Sequence, residues 1–174
     1  MKIKYAHVGL GGFSLQRLKI NLDHKIFEPV AYIDINLEKK KEVSNLINGN
    51  NFFSSITEAK KNIEFDACII HASANVHSEL VIESLQNDLH TFCVKPIACD
   101  ISEFINIIKV KSNKQNVLLV QGQNNQWNEA SIKMSSIIND KSLFGEFLNG
   151  HCLMWGMQDL SSLGKNPETD KDGM

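Results

Sequence analysis

The chain has 174 residues, of which 43% are hydrophobic and 22% charged, with a formal net charge of −2. That is room for one full domain and a short extension of ordinary globular composition. It gives no electrostatic reason to expect nucleic acid or an anionic membrane as partner. No apolar stretch approaches the roughly 18 residues of a spanning helix. The start, Met1-Lys2-Ile3-Lys4, is basic, but His7 and the glycines at 9, 11 and 12 interrupt any signal-peptide core, so a cytoplasmic location is expected. Cys68, Cys93, Cys99 and Cys152 show neither Cys-x-x-Cys spacing nor a nearby histidine pair, and are read as structural, with no metal site.

Along the chain, short apolar runs alternate with helical patterns. Residues 3–8 form a first strand that ends in a glycine cluster, and residues 14–20 carry Leu15, Leu18 and Ile20 close to helical spacing. Residues 29–33 are a second strand, closed by Asp34, and residues 37–47 a charged helix with Leu37, Val43, Leu46 and Ile47 inward. A weak third strand lies at Phe52-Phe53 after the turn-forming 48–51, followed by a helical turn over 55–61. Residues 67–71 are continuous and apolar, as a strand buried on both faces should be. Asn75 is placed to cap a helix reaching Gln86, with Val76, Leu80 and residues 82–85 as its buried stripe. A fifth strand, 91–94, stops at Lys95-Pro96; a helix over 100–111 and a sixth strand over 116–120 follow. Strands alternating with helices imply right-handed crossovers and an α/β, doubly wound parallel sheet over residues 1–122. Beyond it the pattern changes to a helix at 129–138, a strand-like run at 147–155 and a polar tail.

The chemistry is concentrated where strands end. Gly9-Leu10-Gly11-Gly12-Phe13-Ser14 follows strand one and opens a helix. In a dinucleotide site the first glycine permits the tight turn, the second lets the backbone approach the pyrophosphate, and the helix N-terminus offers N–H groups to the phosphates. Ser14 stands at the third glycine position and is small enough for close helix–sheet packing. Asp34 ends strand two, 25 residues beyond Gly9, near the ~20 expected of the acid that binds the adenosine ribose. A carboxylate there repels a 2′-phosphate, so NAD is expected over NADP. A bland role for Asp34 as helix cap or turn residue competes with this. A methyltransferase would also show glycines and an acid after strand two, but that class carries an acid just before the glycines, where this chain has Ala6-His7-Val8.

Ala72-Ser73-Ala74-Asn75-Val76-His77 follows strand four and Phe92-Cys93-Val94-Lys95-Pro96-Ile97-Ala98 follows strand five. With the glycine loop, Val120-Gln121-Gly122 and Leu143-Phe144-Gly145-Glu146-Phe147, this pair resembles the family of glucose–fructose oxidoreductase, inositol dehydrogenase and MocA proteins. The resemblance implies a Rossmann sheet of order 3-2-1-4-5-6 and, over 123–174, the incomplete start of an α+β substrate and oligomerisation domain. It implies NAD-dependent hydride transfer to or from a secondary alcohol or ketone of a sugar, cyclitol or nucleotide-linked sugar. A small carbohydrate-like substrate and, at full length, a homo-oligomer go with it. Lys95 is then the catalytic residue, a substrate contact whose acid–base partner comes from the second domain. Gly9, Gly11, Gly12, Phe13, Asp34, Ser73, Asn75, His77 and Lys95 line the cofactor, and the Lys95–Pro96 bond is expected to be cis. His77 reads equally as a loop-orienting residue, and His7 and His71 as core or loop-packing residues. Three positions depart from the family pattern: Val94 replaces a glutamate, Ala74 a proline and Gln126 an arginine. Val94 and Gln126 motivate a second reading, a non-catalytic dinucleotide-binding sensor or regulator.

Overall fold

The computed structural model describes residues 2–36, 38–44, 46, 51–146 and 148–151. Its strands are β1 (Ile3–Val8), β2 (Phe27–Ile33), β3 (Phe52–Phe53), β4 (Ala67–Ile70), β5 (His90–Cys93) and β6 (Leu119–Gln121). Its helices are α1 (Gly12–Leu22), α2 (Lys39–Ser44), α3 (Ile56–Asn62), α4 (His77–Gln86), α5 (Ile101–Ser112), α6 (Glu129–Ile138) and α7 (Lys141–Phe144). The six strands pair in parallel in the expected order β3-β2-β1-β4-β5-β6. The chain divides into two compact units, Met1–Gly122 and Gln123–Met174.

Side-chain alternation sorts the core onto two faces of the sheet. Ala6 and Val8 of β1, Cys68 and Ile70 of β4 and Cys93 of β5 pack with Ile56, Ala59, Val81, Leu85 and Ile107 of α3, α4 and α5. A smaller cluster of Leu10, Leu18, Tyr32 and Val43 joins α1 and α2 to the opposite face. Tyr5 and His7 of β1 alternate with Ala6 and Val8 and are fully buried. Pro29 lies inside β2, where a residue without an N–H breaks a ladder. The fold accommodates it by a register shift: Tyr5 pairs with Pro29 but Ala6 with Ala31, so Val30 bulges out. The ladder to β3 uses only Tyr32 and Ile33, well past the proline.

The boundaries differ from the sequence expectation in instructive ways. Helix α1 begins at Gly12, two residues early, and β2 begins at Phe27. β6 is shifted to Leu119–Gln121, and α2 occupies only Lys39–Ser44, while Leu37 and Ile47 lie outside the described residues. Asn75 does not cap α4: it sits within a 3₁₀ turn, Ala74–Val76, which Val76 N–H closes by donating to Ser73 O at 3.1 Å. The helix starts one residue later, at His77; its buried face is His77, Ser78, Val81, Ser84 and Leu85, and Leu80 and Ile82 of the expected stripe pack half-buried against the core. Ser84 tolerates burial because its hydroxyl pairs with Thr91 Oγ1 at 2.8 Å. In the second unit, Asn128 Oδ1 accepts from Ser131 N–H at 2.7 Å and caps α6. Of the strand expected over 147–155, residues 148–151 are described and are not in a strand; the rest lies outside the described residues.

Candidate functional site

Parallel strands end on one edge of a sheet, so the loops after β1, β2, β4 and β5 share that edge. Gly9 donates its N–H to Ile33 O at 2.8 Å and has φ +84, which only glycine adopts without strain. A Cβ there would stand 2.7 Å from the Cα and N of Ala72, so the glycine also permits the loop after β1 to touch the loop after β4. Gly11 and Gly12 are different: both are exposed, and a Cβ on either would meet no atom within 4 Å. Gly11 is the N-cap of α1, with no side-chain cap and no acid in the first turn, so the first N–H groups of α1 are left to an incoming anion.

Ser14 does more than save space. Its hydroxyl, 1% exposed, donates to Gly9 O and receives the Nε2–H of His7 at 2.6 Å. The proton on Nε2 leaves Nδ1 of His7 as the acceptor nitrogen, and it has no partner among the described residues. Burial, with His71 as a lesser cause, pulls the pKa of His7 down to about 3. The ring of His71, half-buried at the end of β4, stacks on that of His7 with centroids 5.1 Å apart. Burial and then the Arg17 guanidinium lower His71 to about 4. Phe13, 57% exposed, lies tilted against His71 at 6.0 Å and carries Arg17 over its ring at 4.9 Å. Both imidazoles are therefore neutral at physiological pH. Sequence reasoning missed this network; its only trace is a histidine in an apolar strand two residues before the first glycine.

Asp34 is wired to the same loop. Its Oδ2 accepts from Leu10 N–H at 2.7 Å and its Oδ1 from Asn36 N–H at 2.8 Å. Each oxygen keeps a further lone pair. On the other side of β1, Ser73 and Asn75 are exposed, whereas His77 is 1% exposed. The nitrogens of His77 face backbone: Nε2 lies 2.8 Å from Ala72 O and Nδ1 2.6 Å from Pro96 O. Both of its ring nitrogens thus face backbone oxygens of the loops after β4 and β5. The Lys95–Pro96 bond is cis, as expected. Lys95 is exposed, and its Nζ has no hydrogen bond or ion pair with any described residue. A shallow groove of about 360 Å³ adjoins this segment on its β6 side, lined among others by Pro96, Ala98, Phe104 and Gln121.

Residues 3–122 match the sequence model of a family described as an oxidoreductase family with an NAD-binding Rossmann fold. Among curated proteins, myo-inositol 2-dehydrogenase of Thermotoga maritima is 22% identical over 134 residues, which cover 77% of this chain and 39% of that protein. Among solved structures, scyllo-inositol dehydrogenase of Lactobacillus casei with bound NAD(H) and scyllo-inositol superposes with a TM-score of 0.73 at 16% identity, over 83% of this chain and 43% of that one. The WlbA dehydrogenase of Bordetella pertussis, in complex with NADH and UDP-GlcNAcA, gives 0.72 at 22% identity over 81% and 43%. The structural likenesses establish the fold. The chain spans less than half the length of each of these relatives.

Proposed function

Because this chain belongs to the oxidoreductase family with the NAD-binding Rossmann fold, we propose that it is the dinucleotide-holding part of an NAD-dependent dehydrogenase. The observation that carries the reading is one juxtaposition. An open loop at Gly11 and Gly12 leads into an uncapped helix, and the Asp34 carboxylate hangs from Leu10 in the same loop. The first supports a pyrophosphate bound to backbone N–H groups. The second supports an adenosine ribose bound through its hydroxyls, with a 2′-phosphate repelled by the carboxylate, hence NAD over NADP.

Bound NAD supplies the hydride acceptor, and its reduced form the donor. The protein's share is orientation and charge. Lys95, exposed at the carboxyl end of β5, donates a hydrogen bond to the reacting oxygen and stabilises the negative charge that develops there. Ser73 and Asn75, on the neighbouring loop, line the nicotinamide end. The names of the relatives, an inositol dehydrogenase and a protein bound to a nucleotide sugar, support a cyclitol, sugar or nucleotide-linked sugar as substrate. On this reading residues 123–174 begin the second domain, which supplies the acid–base partner of Lys95, and the whole protein is a cytoplasmic homo-oligomer. Val94, an aliphatic residue where the family carries glutamate, favours a second reading, a dinucleotide sensor without turnover.

Isothermal titration tests the cofactor reading. The chain should bind NAD(H) at least about tenfold more tightly than NADP(H), a gap of ~1.4 kcal/mol, and Asp34→Ala should narrow it. Equal affinities in the unmutated chain would remove Asp34 from the ribose, and binding of neither dinucleotide would overturn the reading whole.

A further inference from the structure

His77 is a buried histidine with a ring held between two carbonyl oxygens from different loops. Ala72, whose oxygen lies 2.8 Å from Nε2, immediately precedes Ser73; Pro96, whose oxygen lies 2.6 Å from Nδ1, immediately follows Lys95. The Ala72 contact is local, five residues away in sequence, and shapes only the turn into α4. The Pro96 contact spans 19 residues and, among the described residues, is the hydrogen bond that ties the segment after β5 to the segment after β4. The other backbone ties at these strand ends, Val94 N–H to Ile70 O at 3.1 Å and Gly122 N–H to Cys93 O at 2.8 Å, stop short of Lys95. A carbonyl oxygen only accepts, so the nitrogen facing Pro96 must carry the proton for that bond to exist.

With Asp34 at the adenosine end and the glycine loop at the pyrophosphate, the nicotinamide half of a dinucleotide lies across β1, over the β4 and β5 loops. We propose that His77 is a positioning residue: through its Nδ1–H bond to Pro96 O it sets the spacing of the Ser73 and Lys95 segments that together form the nicotinamide end of the site. The inference rests on the NAD reading above. His77 touches neither cofactor nor substrate and acts through the backbone it holds.

Two substitutions separate its two contacts. An asparagine amide nitrogen falls near the position of Nδ1, and a glutamine amide nitrogen near that of Nε2. A neutral ring donates from one nitrogen only, so with the proton on Nδ1 the parent gives Ala72 O no donor; His77→Asn therefore retains the donor for Pro96, and His77→Gln moves it to the Ala72 side. The readout is calorimetric affinity of the 174-residue chain for NAD and for ADP-ribose, which lacks the nicotinamide, with the thermal unfolding midpoint of each variant alongside. His77→Gln should weaken NAD about tenfold, towards the affinity for ADP-ribose, while leaving ADP-ribose itself unchanged. His77→Asn should restore the preference for NAD. The proposal is overturned if the two variants behave alike, whether both keep the preference or both lose it. It is equally overturned if His77→Gln loses ADP-ribose along with NAD or no longer folds, because the ring then serves the fold as a whole. Failure of the unmutated chain to bind either ligand would instead strike the NAD reading, and this inference with it.

Discussion

Acid should act on this fold through His7. The residue is fully buried, its Nε2–H is committed to Ser14, and a second proton would have to go on an Nδ1 without a partner, beside the stacked ring of His71. The native state therefore holds the ring neutral, with a pKa of about 3 against an ordinary 6.5. A base whose folded pKa is depressed contributes stability that is whole above the unfolded value and is lost as pH falls from there towards the folded value. At pH 5 the unfolded chain carries nearly one proton more at this position than the folded chain. Integrating that difference from pH 7 to pH 5 gives a loss of about 2 kcal/mol from His7 alone. His7→Gln supplies the control, since a glutamine amide nitrogen can donate to Ser14 and does not titrate. Urea unfolding followed by circular dichroism should show the parent losing about 2 kcal/mol more than the variant between the two pH values. His71, lowered to about 4 chiefly by burial, titrates in both proteins, and to first order its share cancels. Equal losses in parent and variant would refute the argument, and would mean that His7 is solvated or partnered in the native state.

The glycines of the loop should fail in opposite ways. Gly9→Ala places a Cβ 2.7 Å from the backbone of Ala72 at φ +84, and should cost at least about 3 kcal/mol of stability in chemical unfolding. Gly11→Val meets no atom within 4 Å and should cost only the ~1 kcal/mol of a poor N-cap, yet it should abolish the rise in thermal midpoint that NAD produces. In a version of the protein long enough to turn over, Lys95→Ala should lower kcat roughly 100-fold while NAD affinity measured by calorimetry stays unchanged; a matching loss of NAD affinity would place the lysine on the cofactor.

The sheet was legible because buried parallel strands announce themselves. The run Ala67-Cys68-Ile69-Ile70 needs no partner to be read as a strand, and the glycines and Asp34 stand at spacings that a dinucleotide imposes. Helix starts were less legible for a physical reason. Gly12 and Phe13 are poor helix formers, and α1 includes them because the loop geometry, not propensity, sets its first turn. Asn75 had the chemistry of a cap but not the place, since a 3₁₀ turn and the anchored ring of His77 carry the chain past it. The polar contacts of the site could not be read at all. That His7 meets Ser14, or that His77 meets Pro96 across 19 residues, depends on which face of a strand or helix is turned inward. A histidine in an apolar run looks the same in either case.

Asp34 ends with a double allegiance that bears on redesign of the site. Cofactor preference in folds of this kind invites exchange of the acid after β2 for a neutral or basic residue. Here that acid also receives the N–H of Leu10 and of Asn36. On the proposed NAD reading, exchange at this position alone would remove the repulsion towards a 2′-phosphate and, in the same stroke, take the acceptor from two backbone donors and loosen the glycine-rich turn. A substitution designed for NADP would then be expected to reverse the preference by losing NAD more than by gaining NADP. Recovering tight binding would require a second change that restores an acceptor for Leu10, so the specificity and the shape of the loop have to be engineered together.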